Sequence, residues 1–167
     1  MLLVLPTPEM KDAYLDFARE WAENNEEITP YSARLLGRSY EEWLADAKRR
    51  ETRSINNFVT AHTYFWVDPQ GMIVGALNLW HRLNDHLRRV GGHIGYGVRP
   101  SARRQGHAAA MLAAALPHAR ELGLTRVLVT CDQTNTGSAR TILKNGGVLE
   151  NEVADGDKTM RRYWIKL

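Results

Sequence analysis

The chain has 167 residues, of which 44% are hydrophobic and 25% charged, with a formal net charge of +3 and one cysteine. That length suits one domain with a closed core, and the composition is that of an ordinary globular protein with no run long enough to span a bilayer. The small net charge does not demand a general nucleic-acid binder, and a lone Cys131 excludes both an intrachain disulfide framework and a cysteine zinc cluster. The apolar start Leu2 to Leu5 is cut off by Pro6 and lacks a basic leader, so the expectation is a cytoplasmic protein without a signal peptide.

Leu2 to Leu5 reads as a short first strand. Thr7-Pro8-Glu9 has the form of a helix start, with a capping hydroxyl followed by a proline whose missing N–H costs little there. Met10, Tyr14, Phe17, Ala18 and Trp21 recur at helical spacing and predict a helix to about Ala22 with that stripe in the core. Asn24 to Gly37 is irregular. Ser39 to Glu42 matches a capping box and opens a helix through Trp43 and Leu44 to about Arg50. A polar linker from Glu51 to Asn57 follows. Phe58 to Val67 and Met72 to Trp80 flank the turn Asp68-Pro69-Gln70-Gly71 and predict an antiparallel hairpin. His81 to Arg89 is a polar, basic connection.

From Val90 a strand thinned by glycines at 91, 92, 95 and 97 leads to Pro100, an arginine cluster and an alanine-rich helix of about Gly106 to Leu122. Glycines in a strand make sense where another group approaches closely or the strand bulges. Pro117 predicts a kink, since proline inside a helix removes a hydrogen bond and costs about 3 kcal/mol if unrelieved. Gly123 stops the helix. Thr125 to Cys131 reads as a buried strand, Asn135 to Asn145 as a short helix, and Val148 to Val153 with Met160 to Ile165 as a last hairpin around Asp155-Gly156-Asp157.

The junction Arg103-Arg104-Gln105-Gly106-His107-Ala108 points to an anion. A helix N-terminus presents unpaired amides and a partial positive charge, and Arg99, Arg103 and Arg104 carry guanidinium groups suited to phosphate oxygens. Gly106 and Ala108 leave room for close approach. The inferred ligand carries a pyrophosphate.

This arrangement resembles the pyrophosphate loop of the GNAT superfamily of N-acetyltransferases, Arg/Gln-x-x-Gly-x-Gly/Ala, filled here by Arg103, Gly106 and Ala108. About thirty residues on, Asn135-Thr136-Gly137-Ser138 with Lys144-Asn145-Gly146 is similar to the family's Asn-x-x-Ser helix. His81-Arg82-Leu83-Asn84 followed by Gly91-Gly92-His93-Ile94-Gly95-Tyr96 resembles a branch of predicted acetyltransferases within it. The resemblance implies an α/β fold with a mixed, mostly antiparallel sheet of about seven strands and helices on both faces, in one domain over residues 1–167. It implies transfer of an acetyl group from acetyl-CoA to a primary amine of a small molecule or peptide. The expected partners are that acceptor and a second copy of the chain, with no metal, nucleic acid or membrane.

By the same resemblance, the backbone of Gly97, Val98 and Arg99 would meet the pantetheine arm, and the Val98 N–H would polarise the thioester carbonyl. Asn135 and Ser138 would touch the cofactor, although both residue types also cap helices. Tyr31 and Arg34 would contact the acceptor, the alternative being a loop with a packed tyrosine. The tyrosine that many relatives use to protonate the thiolate is replaced here by Ile142, which leaves Ser138 or a water as donor. For the base, His93 titrates near neutrality but lies on the strand face opposite Ile94 and Tyr96. Glu150, Glu152, His81 and Asn84 are the alternatives. Cys131, in a buried strand, is not expected to carry an acyl group. Ile142 and the lack of an obvious base motivate a second reading, a non-catalytic acyl-CoA-binding or sensing module.

Overall fold

The computed structural model describes residues 1–54 and 58–167; part of the linker expected over 51–57 therefore lies outside the described residues. Among the described residues the chain forms seven strands and four α-helices. They are β1 (Leu2–Val4), α1 (Lys11–Glu23), α2 (Tyr40–Thr52), β2 (Ala61–Val67), β3 (Ile73–Trp80), β4 (Ile94–Val98), α3 (His107–Glu121), β5 (Arg126–Asp132), α4 (Thr136–Lys144), β6 (Val148–Asp155) and β7 (Lys158–Lys166). The strands form two sheets, in the orders β1-β2-β3-β4 and β5-β7-β6, with every pairing antiparallel.

Strand alternation sends successive side chains to opposite faces and so divides the core in two. Phe65, Ile73 and Ala76 pack against Tyr14 and Phe17 of α1 and Trp43 of α2. Tyr64, Leu77, Leu79 and Ile94 pack against Met111, Leu112 and Ala115 of α3, together with Val127 and Val129 of β5. Helices thus cover both faces, as expected. The Ser39–Glu42 capping box is present with both of its hydrogen bonds. Thr7, by contrast, makes no side-chain cap. The helix α3 continues past Pro117 to Glu121.

The strand expected from Val90 begins only at Ile94, because Leu87–Gly91 forms a helical turn. Gly92 turns out of it at φ +71°, and a Cβ there would lie 2.7 Å from the Leu128 carbonyl oxygen. A side chain at 92 would therefore push the two sheets apart.

Candidate active-site cleft

The sheets meet at one end of β4 and separate along it. Among the described residues, the one backbone hydrogen bond joining them runs from the His93 N–H to the Leu128 carbonyl, 2.6 Å. At the β3 side of β4, Trp80 donates to His93 and Arg99 donates to Val74. Antiparallel ladders alternate, so the amides of residues 95, 97 and 99 face β3, while those of Tyr96 and Val98 turn to the open edge. The Val98 carbonyl on that edge accepts from Arg103 Nε at 3.1 Å, which leaves its N–H as the free donor. The edge offered to a ligand is thus Tyr96 and Val98. The expected contribution from Gly97 and Arg99 backbone is corrected by the register: their amides are spent on β3.

Beyond this edge opens a cleft of about 600 Å³, lined by β4, the first turn of α3 and the first turn of α4. Gly106 caps α3 in the left-handed region, φ +86°, with no side-chain cap. The first amides of α3, at His107, Ala108 and Ala109, consequently lack intrahelical acceptors and face the cleft mouth. No atom lies within 4 Å of where a Gly106 Cβ would stand, so glycine is required there for its conformation and leaves the approach open.

Of the three arginines assigned to the anion, one is free. Arg103 forms a two-pronged ion pair with Glu26, at 2.8 and 2.6 Å, and stacks on Trp21. Arg99 points away from the cleft to Asp16 and Glu20 on α1, which corrects its assignment to phosphate. Arg104 makes no ion pair among the described residues and lines the cleft. Arg140 on α4 does the same from the opposite wall; it stands inside the second motif, whose pattern specifies only Asn135 and Ser138. Gln105 does not line the cleft, and its amide donates to the Ser101 carbonyl. Asn135 lines it while its Oδ1 caps α4 through the Ser138 N–H, 2.9 Å.

Deeper in the cleft, the Tyr96 hydroxyl lies 2.9 Å from Ser138 Oγ. Burial pushes the Tyr96 phenol up to about 12, with Ser138 pulling the other way. Cys131 adjoins this pair, and burial pushes its thiol up as well. Tyr96 is not marked by the motif pattern, which places its tyrosine on the α4 helix, where Ile142 is wholly buried in the core. Its signal was the even-numbered face it shares with Val98.

An uncapped helix start, two free arginines and an exposed strand edge fit a long thioester that carries a diphosphate. The sequence profile described as acetyltransferase (GNAT) domain matches residues 2–148. The chain belongs to the GNAT acetyltransferase family. Solved structures with this fold include a spermidine N-acetyltransferase mutant from Vibrio cholerae, at 14% identity and TM-score 0.67, covering 99% of this chain and 95% of that one. A Salmonella typhimurium protein assigned as an acetyltransferase, solved with its cofactor acetyl-CoA, aligns at 14% identity and TM-score 0.66 over 99% and 93%. The GNAT domain of an S. lividans protein aligns at 14% identity and TM-score 0.65 over 99% and 89%. No curated protein sequence matches the chain. GNAT acetyltransferases use acetyl-CoA.

The base candidates fall elsewhere in this GNAT domain. His93 is buried at the sheet junction, where its Nδ1 accepts from the Leu128 N–H at 2.9 Å. It is a splice between sheets, and burial drops its pKa to about 4. Glu150 and Glu152 stand exposed on β6, paired with Arg162 and Arg161, and line no part of the cleft. His81 lies 2.7 Å from His62, and Asn84 accepts from the Leu87 N–H. Each is occupied locally, and none reaches the cleft.

His93 carries a pH prediction. Its folded pKa is depressed below the ordinary value near 6.5, so its stabilising contribution is intact above pH 6.5 and declines as pH falls toward 4. Denaturant titrations should show stability falling by roughly 1.4 kcal/mol per pH unit in that window from this group. In His93→Gln that component should vanish; an unchanged pH profile in the variant would remove the assignment.

A second cavity of about 420 Å³ lies on the other face of β4. The segment Thr29-Pro30-Tyr31 separates the two. A Cβ on Gly97 would stand 2.2 Å from the Thr29 carbonyl oxygen and one on Gly95 3.5 Å from Pro30 Cβ, so those glycines let the segment cross the strand. Tyr31 lines this second cavity. Arg34 does not, since it is held by Glu27 and the Ile28 carbonyl under the Tyr31 ring. The expectation of Arg34 at the acceptor is therefore corrected to a role in fixing Tyr31. Among the described residues, no group of three or more metal-ligating side chains occurs, and no helix is long and apolar enough to cross a membrane.

Proposed function

We propose that this GNAT domain is an N-acetyltransferase that moves the acetyl group of acetyl-CoA onto a primary amine entering from the Tyr31 side of β4. The observation that carries the reading is the free edge of β4 running into the uncapped start of α3, with Arg104 and Arg140 unpaired on either wall. The first-turn amides and the two arginines hold the diphosphate. The Val98 N–H is the donor facing the thioester carbonyl, where negative charge grows as the amine adds.

In the reaction the amine nitrogen forms a bond to the carbonyl carbon, the carbon–sulfur bond breaks, the sulfur takes the Tyr96 proton, and the phenolate regains a proton from solvent. The ammonium proton passes to solvent. Glu26 is the carboxylate lining the cleft among the described residues, and Arg103 holds it. The acceptor must therefore arrive as the neutral amine, and kcat/KM should climb with pH through the acceptor's own pKa.

The test is calorimetry with acetyl-CoA followed by thiol release across an amine panel. Arg104→Glu should weaken acetyl-CoA binding at least tenfold, with a shallower salt dependence and an unchanged thermal midpoint, because the side chain is exposed and unpaired. Unchanged affinity in that variant would refute the cradle. A domain that binds acetyl-CoA tightly and acetylates no amine would favour the sensing-module reading.

A further inference from the structure

The cavity beside Tyr31 differs in character from the cleft, and its lining speaks to the acceptor. Its floor is a row across three strands, Thr63, Asn78 and Gly95, set by the cross-strand pairs Thr63↔Asn78 and Asn78↔Gly95. Tyr31, Trp43, Phe58 and Trp80 supply aromatic surface around that floor. Asn78 is 3% exposed. Its Oδ1 accepts from the Thr63 hydroxyl at 3.2 Å, while its Nδ2 has no partner among the described residues. A buried amide donor without an acceptor is costly, and the neighbouring cavity is where an acceptor would come from.

The charges on the lining point the same way. Its one carboxylate among the described residues, Asp46, is committed to Arg38 and Arg49, and its pKa is held down chiefly by Arg49. Arg50 stacks over the Phe58 ring at 5.6 Å and makes no ion pair among the described residues. The cavity thus has spare positive charge and a spare donor, and no spare carboxylate.

We propose, resting on the transferase reading above, that this cavity selects a primary amine bearing a carboxylate and a flat apolar body, the aromatic amino acids being its simplest members. The ring packs among Tyr31, Phe58 and Trp80. The carboxylate oxygens take the Asn78 Nδ2 hydrogen and the Arg50 guanidinium. A polyamine fails on the same grounds, since each ammonium would need a carboxylate that the lining does not offer.

The experiment measures thiol release from acetyl-CoA by the purified protein with phenylalanine, tyrosine and tryptophan. Beside them run phenethylamine, tyramine and tryptamine, which lack only the carboxylate, then spermidine, and a short peptide with a free N-terminus. The carboxylated amines should exceed their decarboxylated partners in kcat/KM by about tenfold or more, the order expected for a charge-assisted hydrogen bond. Arg50→Gln should erase that ratio while leaving KM for acetyl-CoA unchanged, and Asn78→Asp should invert it in favour of tyramine and tryptamine. Equal rates for the two sets, a preference for spermidine, or use of the peptide alone would overturn the proposal and leave the transferase reading standing. No binding of acetyl-CoA at all would overturn the transferase reading itself.

Discussion

Replacing Tyr96 by phenylalanine is expected to lower kcat about 100-fold or more while KM for acetyl-CoA stays within about threefold. The phenol stands on the same free edge as Val98, two residues away, so the group that polarises the carbonyl and the group that protonates the sulfur come from one strand. Ser138 Oγ at 2.9 Å fixes the hydroxyl from α4. A phenol pushed up to about 12 would be a poor match for a thiolate in water. In this cleft the mismatch shrinks, because burial pushes the neighbouring Cys131 thiol up too, and a departing thiolate in the same surroundings gains proton affinity for the same reason. The raised value also keeps the donor protonated through the alkaline range. Wild-type kcat should hold to at least pH 10, where a phenol of ordinary pKa would already be half ionised. Removing one hydroxyl that pairs with a serine costs about 1 kcal/mol of stability, so the variant stays folded at 25 °C. Ser138→Ala, which leaves the phenol in place but unheld, should lower kcat about tenfold. A Tyr96→Phe enzyme with full kcat would mean that the thiolate leaves without this proton.

What could be read in advance was local in the chain. The Ser39–Glu42 capping box, the turn at Asp68 to Gly71 and the glycine start of α3 each rest on contacts within a few residues, and each stands where expected. The strand-to-helix junction was legible for the same reason. What escaped was the partner of every charged group. Arg103 meets Glu26 across 77 positions, and Arg99 meets Glu20 and Asp16 across 79 and 83. Three arginines in six positions read as one phosphate site, yet two are neutralised by carboxylates from α1 and the loop after it. The alternation of β4 correctly set His93 apart from Ile94 and Tyr96, but it carries no information on where β5 docks. That docking turns the imidazole into a sheet splice. The pairing of Tyr96 with Ser138, 42 residues apart, was hidden in the same way.

Arg99→Met should cost the fold about 3 kcal/mol, the low end for breaking a buried ion pair, and lower the thermal midpoint by about 6–12 °C. The guanidinium side chain is 7% exposed. It bonds Asp16 at 2.9 Å, Glu20, and the Ile73 carbonyl at 3.2 Å. Glu20 in turn accepts from the Ser101 N–H at 2.6 Å, so one cluster ties α1 to the chain just after β4, where the cradle loop begins. Methionine fills the stem but leaves two carboxylates facing each other with one amide between them. Asp16 is held below the ordinary carboxylate range by its hydrogen bond to Arg99. Burial pushes Glu20 up, but Ser101 and Arg99 together bring it below its ordinary value. Both folded values are depressed, so the cluster stabilises fully above about pH 4.5 and loses that contribution as pH falls through the depressed pKa values. The gap between wild type and variant should therefore be widest near neutrality and close in acid. Measured well below its midpoint, the variant should still bind acetyl-CoA within about threefold of wild type, because the side chain never faces the cleft. A variant with an unaltered midpoint and lost acetyl-CoA affinity would return Arg99 to the phosphates and undo the assignment of Arg104 and Arg140 as the free pair.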